Sequence, residues 1–267
     1  MKRHRIEPGR KIDLTRVDAG STAGFAGDKT AAAAALDRLV RRLEILQETL
    51  WAEGRRSVLV VLQGMDTSGK DGVIRQVFDG VNPLGVRVAA FKAPSEEERA
   101  HDFLWRVHAK MPAAGEMVIM NRSHYEDVLV VRARKLAPKK VWAPRYRQIV
   151  QFERLLADTG TTILKFFLHI DPDEQRERLV ARLHDPLKRW KFRTGDLDDR
   201  AAWDAFMRAY EDALTKTSTA YAPWYLVPSN KKWYRNLVVA TALVEALEAM
   251  DLRIPEPAED LSGVVIA

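Results

Sequence analysis

The sequence has no cysteine, no long apolar run and only six histidines, and each shortage excludes a class of site or protein. Without cysteine there is no disulfide and no thiolate metal site. No stretch approaches the roughly 20 apolar residues of a membrane-spanning helix. The histidines form no H-E-x-x-H pattern, so zinc is not indicated. The basic N-terminus has no apolar run behind it and does not resemble a secretory signal, which predicts a cytoplasmic protein.

What the chain does contain is typical of a globular protein. Its 267 residues are 46% hydrophobic and 30% charged, so the chain can bury a sizeable core. The net charge of +6 favours an anionic partner such as a phosphorylated ligand or a nucleic acid. The alternative is that the charge is incidental, since many proteins are mildly basic without such a partner.

Short apolar runs alternate with helical patterns, which predicts an α/β fold with a parallel sheet covered on both faces. The expected strands are Ser57–Leu62, Val86–Phe91, Met117–Met120, Thr162–Ile170 and Trp224–Val227. The expected helices include Thr30–Trp51, which Gly54 is placed to end, together with Glu96–Lys110, Ala143–Asp158 and Pro172–His184. No repeat or linker interrupts this pattern, so residues 1–267 are predicted to form one domain. Residues 1–29 are expected to be an irregular arm packed on the body, and 254–267 a loosely ordered tail.

One glycine-rich segment has the spacing of a phosphate-binding loop. The sequence "GMDTSGKDG" contains G-x-x-x-x-G-K, after an aliphatic run and before an amphipathic helical pattern. That strand–loop–helix order sets backbone N–H groups and a helix N-terminus around an anion. A glycine-rich turn with an incidental lysine is the alternative. The context favours phosphate binding, with predicted contacts from Gly64, Met65, Thr67, Ser68, Gly69, Lys70, Asp71 and Gly72.

Two carboxylates in this loop are unexpected in a segment that binds anions. The residue after Lys70 is normally Ser or Thr, whose hydroxyl binds magnesium beside the nucleotide, but here it is Asp71. Asp66 lies inside the loop itself. A carboxylate beside a phosphate is repulsive unless a cation lies between them. The pair therefore predicts a divalent metal, Mg²⁺ or Mn²⁺, between Asp66 and the phosphates.

Polar residues follow the third predicted strand in the segment "NRSHYED". In open α/β sheets ligands bind at the carboxyl ends of the strands, where this segment lies. A nucleoside triphosphatase usually has an Asp at this strand end to help hold magnesium, whereas this chain has Asn121. Glu126 and Asp127 are therefore candidate metal ligands, and Arg122 could bind a phosphoryl oxygen. The alternative is an ordinary helix start, where acidic residues are favourable.

A basic segment at about residues 172–200 is the third candidate feature. Arg178 and Arg182 are four residues apart and are predicted to share one helix face. Such a segment could close over phosphates as a lid and exclude water. A solvated charged helix is the alternative, which the interleaved acidic residues support.

Taken in order, these motifs resemble the polyphosphate kinase 2 family. The resemblance runs from about residue 30 to about residue 250 and is carried by "GMDTSGKDG", "FDGVNPLGV", "HDFLWRVH", "NRSHYEDVLVVR", "KFFLHIDPDEQRERL", "RWKF" and "APWYLVPSNKKWYRN". It implies a thymidylate-kinase-like P-loop kinase fold with a central parallel sheet flanked by helices and a helical lid. It implies magnesium-dependent phosphoryl transfer between inorganic polyphosphate and nucleotides, by a homo-oligomer that is commonly a tetramer. Asn121 followed by "RSHYED" is similar to the subclass that phosphorylates both AMP and ADP.

The resemblance also implies roles for single residues. The family loop has the form G-x-D-x-x-G-K-D-G, so both loop acids belong to it, with Asp66 working with metal. The implied catalytic residues are Asp66, Lys70, Arg122 and Arg178, and Arg182 is implied to bind polyphosphate. The candidate nucleotide-binding residues are Asn121, Arg122, Glu126 and Arg132, and the candidate metal ligands are Asp66, Glu126 and Asp127.

Two other functions stay open at this point. An ATP-dependent nucleoside monophosphate kinase would have the same fold. A basic nucleic-acid-binding module would use the loop only for an anion, but the chain lacks the aromatic and basic stacking motifs of RNA-binding modules. We therefore expect neither a nucleic-acid nor a membrane partner.

Overall fold

A five-stranded parallel sheet lies at the centre of the computed structural model, which describes residues 1–262, 264 and 266. Its strand order is β2-β3-β1-β4-β5, and every neighbouring pair is parallel. The strands are β1 (Ser57–Gln63), β2 (Val86–Ala90), β3 (Met117–Asn121), β4 (Thr161–His169) and β5 (Trp224–Pro228). The predicted α/β fold with a parallel sheet is confirmed, and each predicted strand is present within one residue at either end.

Helices cover the sheet and connect its strands. In the described residues the α-helices are α1 (Lys29–Glu53), α2 (Lys70–Val77), α3 (Glu96–Ala100), α4 (Trp105–His108), α5 (Glu126–Ala133), α6 (Lys139–Trp142), α7 (Arg145–Asp158), α8 (Pro172–His184), α9 (Gly195–Ala201), α10 (Trp203–Thr217) and α11 (Lys232–Glu248). Short 3₁₀ helices span Lys2–His4, Leu14–Arg16 and Arg189–Lys191. Gly54 ends α1 in the left-handed conformation, as its position predicts. None of the helices in the described residues is both long and apolar enough to cross a membrane.

The single helix predicted over Glu96–Lys110 is wrong, because the chain breaks there into α3 and α4. Ser95 and Glu98 form a capping box that starts α3, but the backbone is extended at His101. The Asp102 carboxylate then accepts a hydrogen bond from the Leu104 N–H at 2.9 Å, which forms a new turn before α4. The spacing of apolar residues does not reveal a polar side chain, such as Asp102, that binds a nearby backbone N–H and so interrupts the helix.

The two faces of the sheet bury two separate cores, because successive strand residues point to opposite faces. On one face Leu59 and Val61 pack with residues of α5, α7 and α10. On the other face Val58, Val60 and Leu62 pack with residues of α1, α2 and α11. All of β1 is buried, which explains why its sequence is continuously aliphatic rather than alternating.

The N-terminal arm packs against the last strand, as predicted, although it also contains two of the 3₁₀ helices. The Ile6 N–H donates to the Trp224 carbonyl at 2.8 Å, and Arg5 forms an antiparallel bridge with Tyr225. Ile6 itself is buried in the core, together with apolar residues that follow it in the arm. The described residues after Arg253 contain no helix or strand, and residues 263, 265 and 267 of the predicted tail lie outside the described residues.

A buried polar network joins β4 to the helices on one face. Lys165 is fully buried, and its Nζ lies 2.6 Å from Glu153 Oε2, 2.9 Å from the Tyr125 hydroxyl and 2.8 Å from the Thr217 carbonyl. His124 Nε2 lies 3.3 Å from the other Glu153 oxygen. Each charge in this network therefore has an opposite charge or a hydrogen-bond partner inside the protein, as buried charges require.

Candidate active site

The glycine-rich loop joins β1 to α2 at the carboxyl end of the sheet. β1 lies at the centre of the sheet, between β3 and β4. The chain runs from β1 to the β2–β3 side and later crosses to the β4–β5 side, so the direction of the connections reverses next to β1. In open parallel sheets this reversal opens a crevice outside the strand ends, where ligands bind. The loop, the turn after β3 and the start of α8 all lie at this crevice. The structure thus brings together the three segments that sequence analysis selected.

Glycine is required in the loop for steric as well as conformational reasons. A Cβ on Gly64 would lie 2.6 Å from the Leu168 carbonyl oxygen. Gly64 and Gly69 both have positive φ, at 150° and 104°. Of the four described non-glycine residues with positive φ, two lie at this site, Thr67 with φ 68° and Arg122 with φ 64°. Such a conformation is costly for a β-branched residue and concentrates at functional sites.

Lys70 begins α2 and turns back over the loop. It is only 8% exposed, and its Nζ donates to the Gly64 carbonyl at 2.7 Å and the Met65 carbonyl at 3.2 Å. Burial, together with the nearby Arg122 charge, lowers the pKa of Lys70 to about 8. Among the described residues, no carboxylate oxygen lies within 4.0 Å of its Nζ. Its direct contacts are therefore with backbone carbonyls, and the carboxylates of Asp66, Glu126 and Asp71 favour its charge only from a greater distance.

Asp66 and Glu126 face Arg122 across one small pocket. The Arg122 Nη2 donates to Asp66 Oδ1 at 2.6 Å, and Arg122 Nη1 lies 3.9 Å from Glu126 Oε2. Burial alone would raise the pKa of Asp66, but Lys70 and Arg122 outweigh it and lower that pKa. For Glu126 burial prevails and raises the pKa. Gly64, Met65, Val130, Asp199, Phe206 and Tyr210 complete the lining.

Asp71 occupies the usual Ser or Thr position and points toward two partners on other segments. Its Oδ1 accepts a hydrogen bond from Asn121 Nδ2 at 2.7 Å, and its Oδ2 lies 2.7 Å from Lys191 Nζ. Burial would raise the pKa of Asp71, but the Lys191 and Asn121 contacts prevail and lower it. Asp71 thus connects the loop to the end of β3 and to the basic segment.

Arg178, which the sequence assigns to the lid region, donates its hydrogen bonds to backbone carbonyls of the loop and of the segment after β5. Its Nη1 donates to the Thr67 and Ser68 carbonyls at 2.9 and 3.2 Å. Its Nη2 donates to the carbonyls of Ser229 and Asn230 at 2.7 and 2.9 Å, and its Nε to Glu174 at 2.6 Å. Every N–H-bearing nitrogen of the guanidinium is engaged, so Arg178 fastens the loop to the segment after β5.

Arg182 differs from Arg178 although the two share a helix. Its Nη1 donates to Asp196 at 3.3 Å, and its charge contributes to the lowered pKa of Asp66. Arg182 is therefore near enough to Asp66 for its charge to act there, which is compatible with the predicted contact to a phosphate chain.

Two predicted site residues lie outside this cluster. Asp127 is paired with Arg145 at 3.0 Å and lies 4.0 Å from Arg106, so its carboxylate does not join Asp66 and Glu126. Consecutive helix residues do not face the same way, which is the physical reason. Arg132 binds Asp212 and Tyr146 instead of the loop. In the described part of the chain no three acidic or histidine side chains form a metal-binding group.

Sequence reasoning missed Arg235, the fourth residue of α11, whose side chain packs against the loop. Its Nη1 donates to the Ser68 carbonyl at 3.3 Å, and its side chain is buried. It also missed Lys191 as a partner of Asp71. The available signal was the position of both residues inside the segments "RWKF" and "APWYLVPSNKKWYRN".

The strand order and the phosphate loop after the central strand define a P-loop kinase. A model of the family described as polyphosphate kinase 2 matches residues 26–255. An AMP/ADP-polyphosphate phosphotransferase from Meiothermus ruber is 59% identical over 266 residues, covering 100% of both chains. An ADP-polyphosphate phosphotransferase from Rhodopseudomonas palustris is 42% identical over 271 residues, covering 96% of this chain and 92% of the relative.

A crystal structure of polyphosphate kinase 2 from Arthrobacter aurescens is similar over 97% of this chain and 92% of that one, with TM-score 0.93 and 45% identity. The chain belongs to the polyphosphate kinase 2 family. The family and the P-loop kinase fold predicted from the sequence are thereby confirmed, and the protein is a phosphotransferase.

Proposed function

We propose that this protein transfers phosphoryl groups from inorganic polyphosphate to AMP and ADP, giving ADP and ATP. The observation that carries the proposal is the cation of Lys70, which is buried at the loop without a carboxylate partner within 4.0 Å. A bound phosphate supplies the directly contacting negative charge that Lys70 lacks among the described residues. The full-length similarity to the AMP/ADP-polyphosphate phosphotransferase of Meiothermus ruber supports the choice of substrates.

The chemistry requires positioning and charge neutralisation rather than a covalent enzyme intermediate. A phosphate oxygen of the acceptor attacks the terminal phosphorus of polyphosphate, and the P–O bond to the next phosphate breaks. The shortened polyphosphate leaves with the bonding electrons. Lys70, which is almost fully buried, and Arg122, whose side chain is 40% exposed, stabilise the negative charge on the transferring group. Asp66, held by Arg122, orients the acceptor.

The residues at the loop fit a divalent cation, for which we propose Mg²⁺, with Mn²⁺ able to replace it. Mg²⁺ commonly takes one or two protein carboxylates, and substrate phosphates and water complete its shell. Asp66 has a lowered pKa and lies beside Glu126 on the same pocket. These two would hold the metal, whereas Asp127 is engaged by arginines. When bound, the cation reduces the repulsion between the loop acids and the phosphates.

The proposal assigns the nucleotide to the side of Asn121, Arg122 and Glu126, and polyphosphate to the loop and Arg182. Residues 172–200 act as a lid on a single domain of residues 1–267, with an arm at 1–29 and a tail at 254–267. We further propose a homo-oligomer, a tetramer, that acts in the cytoplasm without a nucleic-acid or membrane partner. Ile45 and Trp51 on α1 are 57% and 38% exposed, which supports association through that helix.

The test uses polyphosphate as the only phosphoryl donor. AMP, ADP, GMP and GDP are each incubated with polyphosphate and magnesium, and products are separated by chromatography. ADP and ATP formation from AMP supports the proposal, and Asp66→Asn is the inactive control. If AMP is phosphorylated only when ATP is supplied, the protein is an ATP-dependent nucleoside monophosphate kinase and the proposal is wrong. Light scattering tests the oligomer, and retention of RNA at physiological salt would restore the nucleic-acid alternative.

A further inference from the structure

Arg235 is a buried guanidinium that no carboxylate neutralises. It is 3% exposed, at the start of α11, and no carboxylate oxygen of the described residues lies within 4.0 Å of it. Its Nε and Nη2 share the Asn236 side-chain oxygen, at 3.1 and 2.8 Å. Burial, with the neighbouring Arg178 charge, lowers the pKa of Arg235 to about 9. Buried charges are ordinarily paired, so this arrangement calls for a physical reason.

The phosphate loop has glycines at the two positions that lie against the Arg235 guanidinium. A Cβ on Gly69 would lie 1.7 Å from Arg235 Nη1, so the guanidinium could not keep this position. A Cβ on Gly72 would lie 3.0 Å from Arg235 Nη2. Two glycines of the loop segment therefore have a second role besides their approach to a ligand. They allow a guanidinium to pack directly against the loop backbone.

Arg235 and Arg178 act on one peptide group. Both donate to the Ser68 carbonyl through Nη1, at 3.3 and 3.2 Å respectively. The following peptide bond is trans, so the Gly69 N–H points away from that carbonyl. Among the described residues the Gly69 N–H has no hydrogen-bond acceptor. The two arginines thus fix the orientation of a backbone donor that is free to bind an anion.

We infer that Arg235 is a positioning residue for the donor site: with Arg178 it holds the Ser68–Gly69 peptide so that its N–H faces the bound phosphate, which in turn neutralises the Arg235 charge. The inference rests on the proposed function, because the phosphate it invokes belongs to polyphosphate. Arg235 makes no contact with substrate. It acts by holding the loop backbone and by the electrostatic attraction of its positive charge for the phosphate. That attraction is poorly screened because the side chain is buried.

The effect of substitution on stability distinguishes this role from a purely structural one. Loss of a structural arginine lowers stability, whereas loss of Arg235 should not. Removing a cation that lacks a counter-ion relieves a desolvation penalty and leaves no buried charge unpaired. We therefore expect Arg235→Met to unfold at the same temperature as the parent or higher. Its KM for polyphosphate should nevertheless rise about 10- to 100-fold, because a hydrogen bond to a charged ligand loses its alignment. The KM for AMP should change little.

The experiment compares four variants with the parent by thermal unfolding and by substrate KM. Arg235→Met and Arg235→Gln both remove the charge, whereas Arg235→Lys keeps it and should recover most of the polyphosphate affinity. Arg56→Met is the matched control, since Arg56 precedes β1 at the opposite end of the sheet and binds Glu53. It should lower the unfolding temperature and leave the KM for polyphosphate unchanged.

A second measurement is the rise in unfolding temperature when polyphosphate is added without nucleotide. It should be large for the parent and for Arg235→Lys, and small for the Met and Gln variants. The inference is overturned if a folded Gln variant keeps the parental KM and shift, or if Lys restores no more than Gln. If the parent itself shows no shift with polyphosphate and uses only ATP, the proposed function has failed instead.

Discussion

Two lysines are almost completely buried in this protein, and their surroundings differ. Lys165 in β4 is paired with Glu153 at 2.6 Å and also contacts the Tyr125 hydroxyl. Lys70 in the loop contacts two backbone carbonyls and, among the described residues, no carboxylate within 4.0 Å. Burial lowers the pKa of both lysines. The difference separates a charge satisfied by the fold from one that is satisfied when an anion binds.

The comparison predicts that the largest loss of stability follows substitution of the core lysine, Lys165. Lys165→Met leaves the Glu153 carboxylate buried without its cation, so the free energy of unfolding should fall by about 3–5 kcal/mol. Urea denaturation followed by circular dichroism measures it. The double variant Lys165→Met with Glu153→Leu should recover part of the loss, because it removes both charges. A single variant within experimental error of the parent would show that this ion pair is not a structural element.

The matched change in the loop should lower turnover without lowering stability. Lys70→Met removes a charge that acts on the transferring phosphoryl group, so kcat should fall on the order of 10²-fold or more. At pH 7 the free energy of unfolding should stay the same or rise, because the variant removes a cation whose burial is unfavourable and which has no carboxylate within 4.0 Å among the described residues. Steady-state kinetics and urea denaturation of one preparation measure both quantities. Near-normal turnover by the folded variant would remove Lys70 from the site.

A pH series tests the environment of Lys70 through its ionisation. With a pKa of about 8, Lys70 loses its proton in the free protein as pH rises above that value. The kcat/KM for polyphosphate should then fall by about tenfold per pH unit, because this ratio reports ionisations of the free enzyme. Lys70→Arg, which stays protonated, should show a later decline. A flat profile to pH 10 in the parent would contradict the assigned environment.

The same ionisation predicts the direction of a stability change. The folded-state pKa of Lys70 is below the value of about 10.4 expected for an unfolded chain. The unfolded state therefore binds more protons between these values, and the Lys70 contribution to stability should rise with pH in that window. The difference in unfolding free energy between parent and Lys70→Met, measured at pH 7 and pH 10, checks the sign.

The smallest effect on activity is expected for substitution of Lys191, a partly exposed lysine that pairs with Asp71. Asp71 is 58% exposed at its side chain, so its pair with Lys191 should be worth less than about 1 kcal/mol. Lys191→Met should lower kcat/KM less than about fivefold, and high salt should reduce the difference further. A double-mutant cycle with Asp71→Asn isolates the pair, and Lys188→Met is the control. A loss of 10²-fold would place Lys191 on the transferring group.

The sequence predicted local features of the site better than those assembled from distant segments. Loop spacing identified Lys70 and Asp66 because strand, loop and helix are consecutive. Arg235 comes from the far end of the chain, and only folding brings it beneath Gly69. Helical spacing correctly placed Arg178 near Arg182 but did not determine that Arg178 would bind loop carbonyls.

The metal ligands show a second limit of sequence reasoning. Glu126 and Asp127 are adjacent in sequence, yet the first residue lines the loop pocket and the second pairs with Arg145. Helix geometry predicts that neighbours diverge, but not which of the two turns inward. That choice depends on the packing of α5 against α10, which involves apolar residues far apart in the chain.

The contact between the N-terminal arm and β5 has a consequence for association between molecules. β5 is an edge strand, and unpaired edge groups are a template for pairing with another chain. The bridge from Arg5 to Tyr225 and the Ile6 hydrogen bond occupy part of that edge. The arm therefore blocks growth of the sheet from one molecule into the next at this end, and its removal would expose both an open edge and the apolar surface that Ile6 covers.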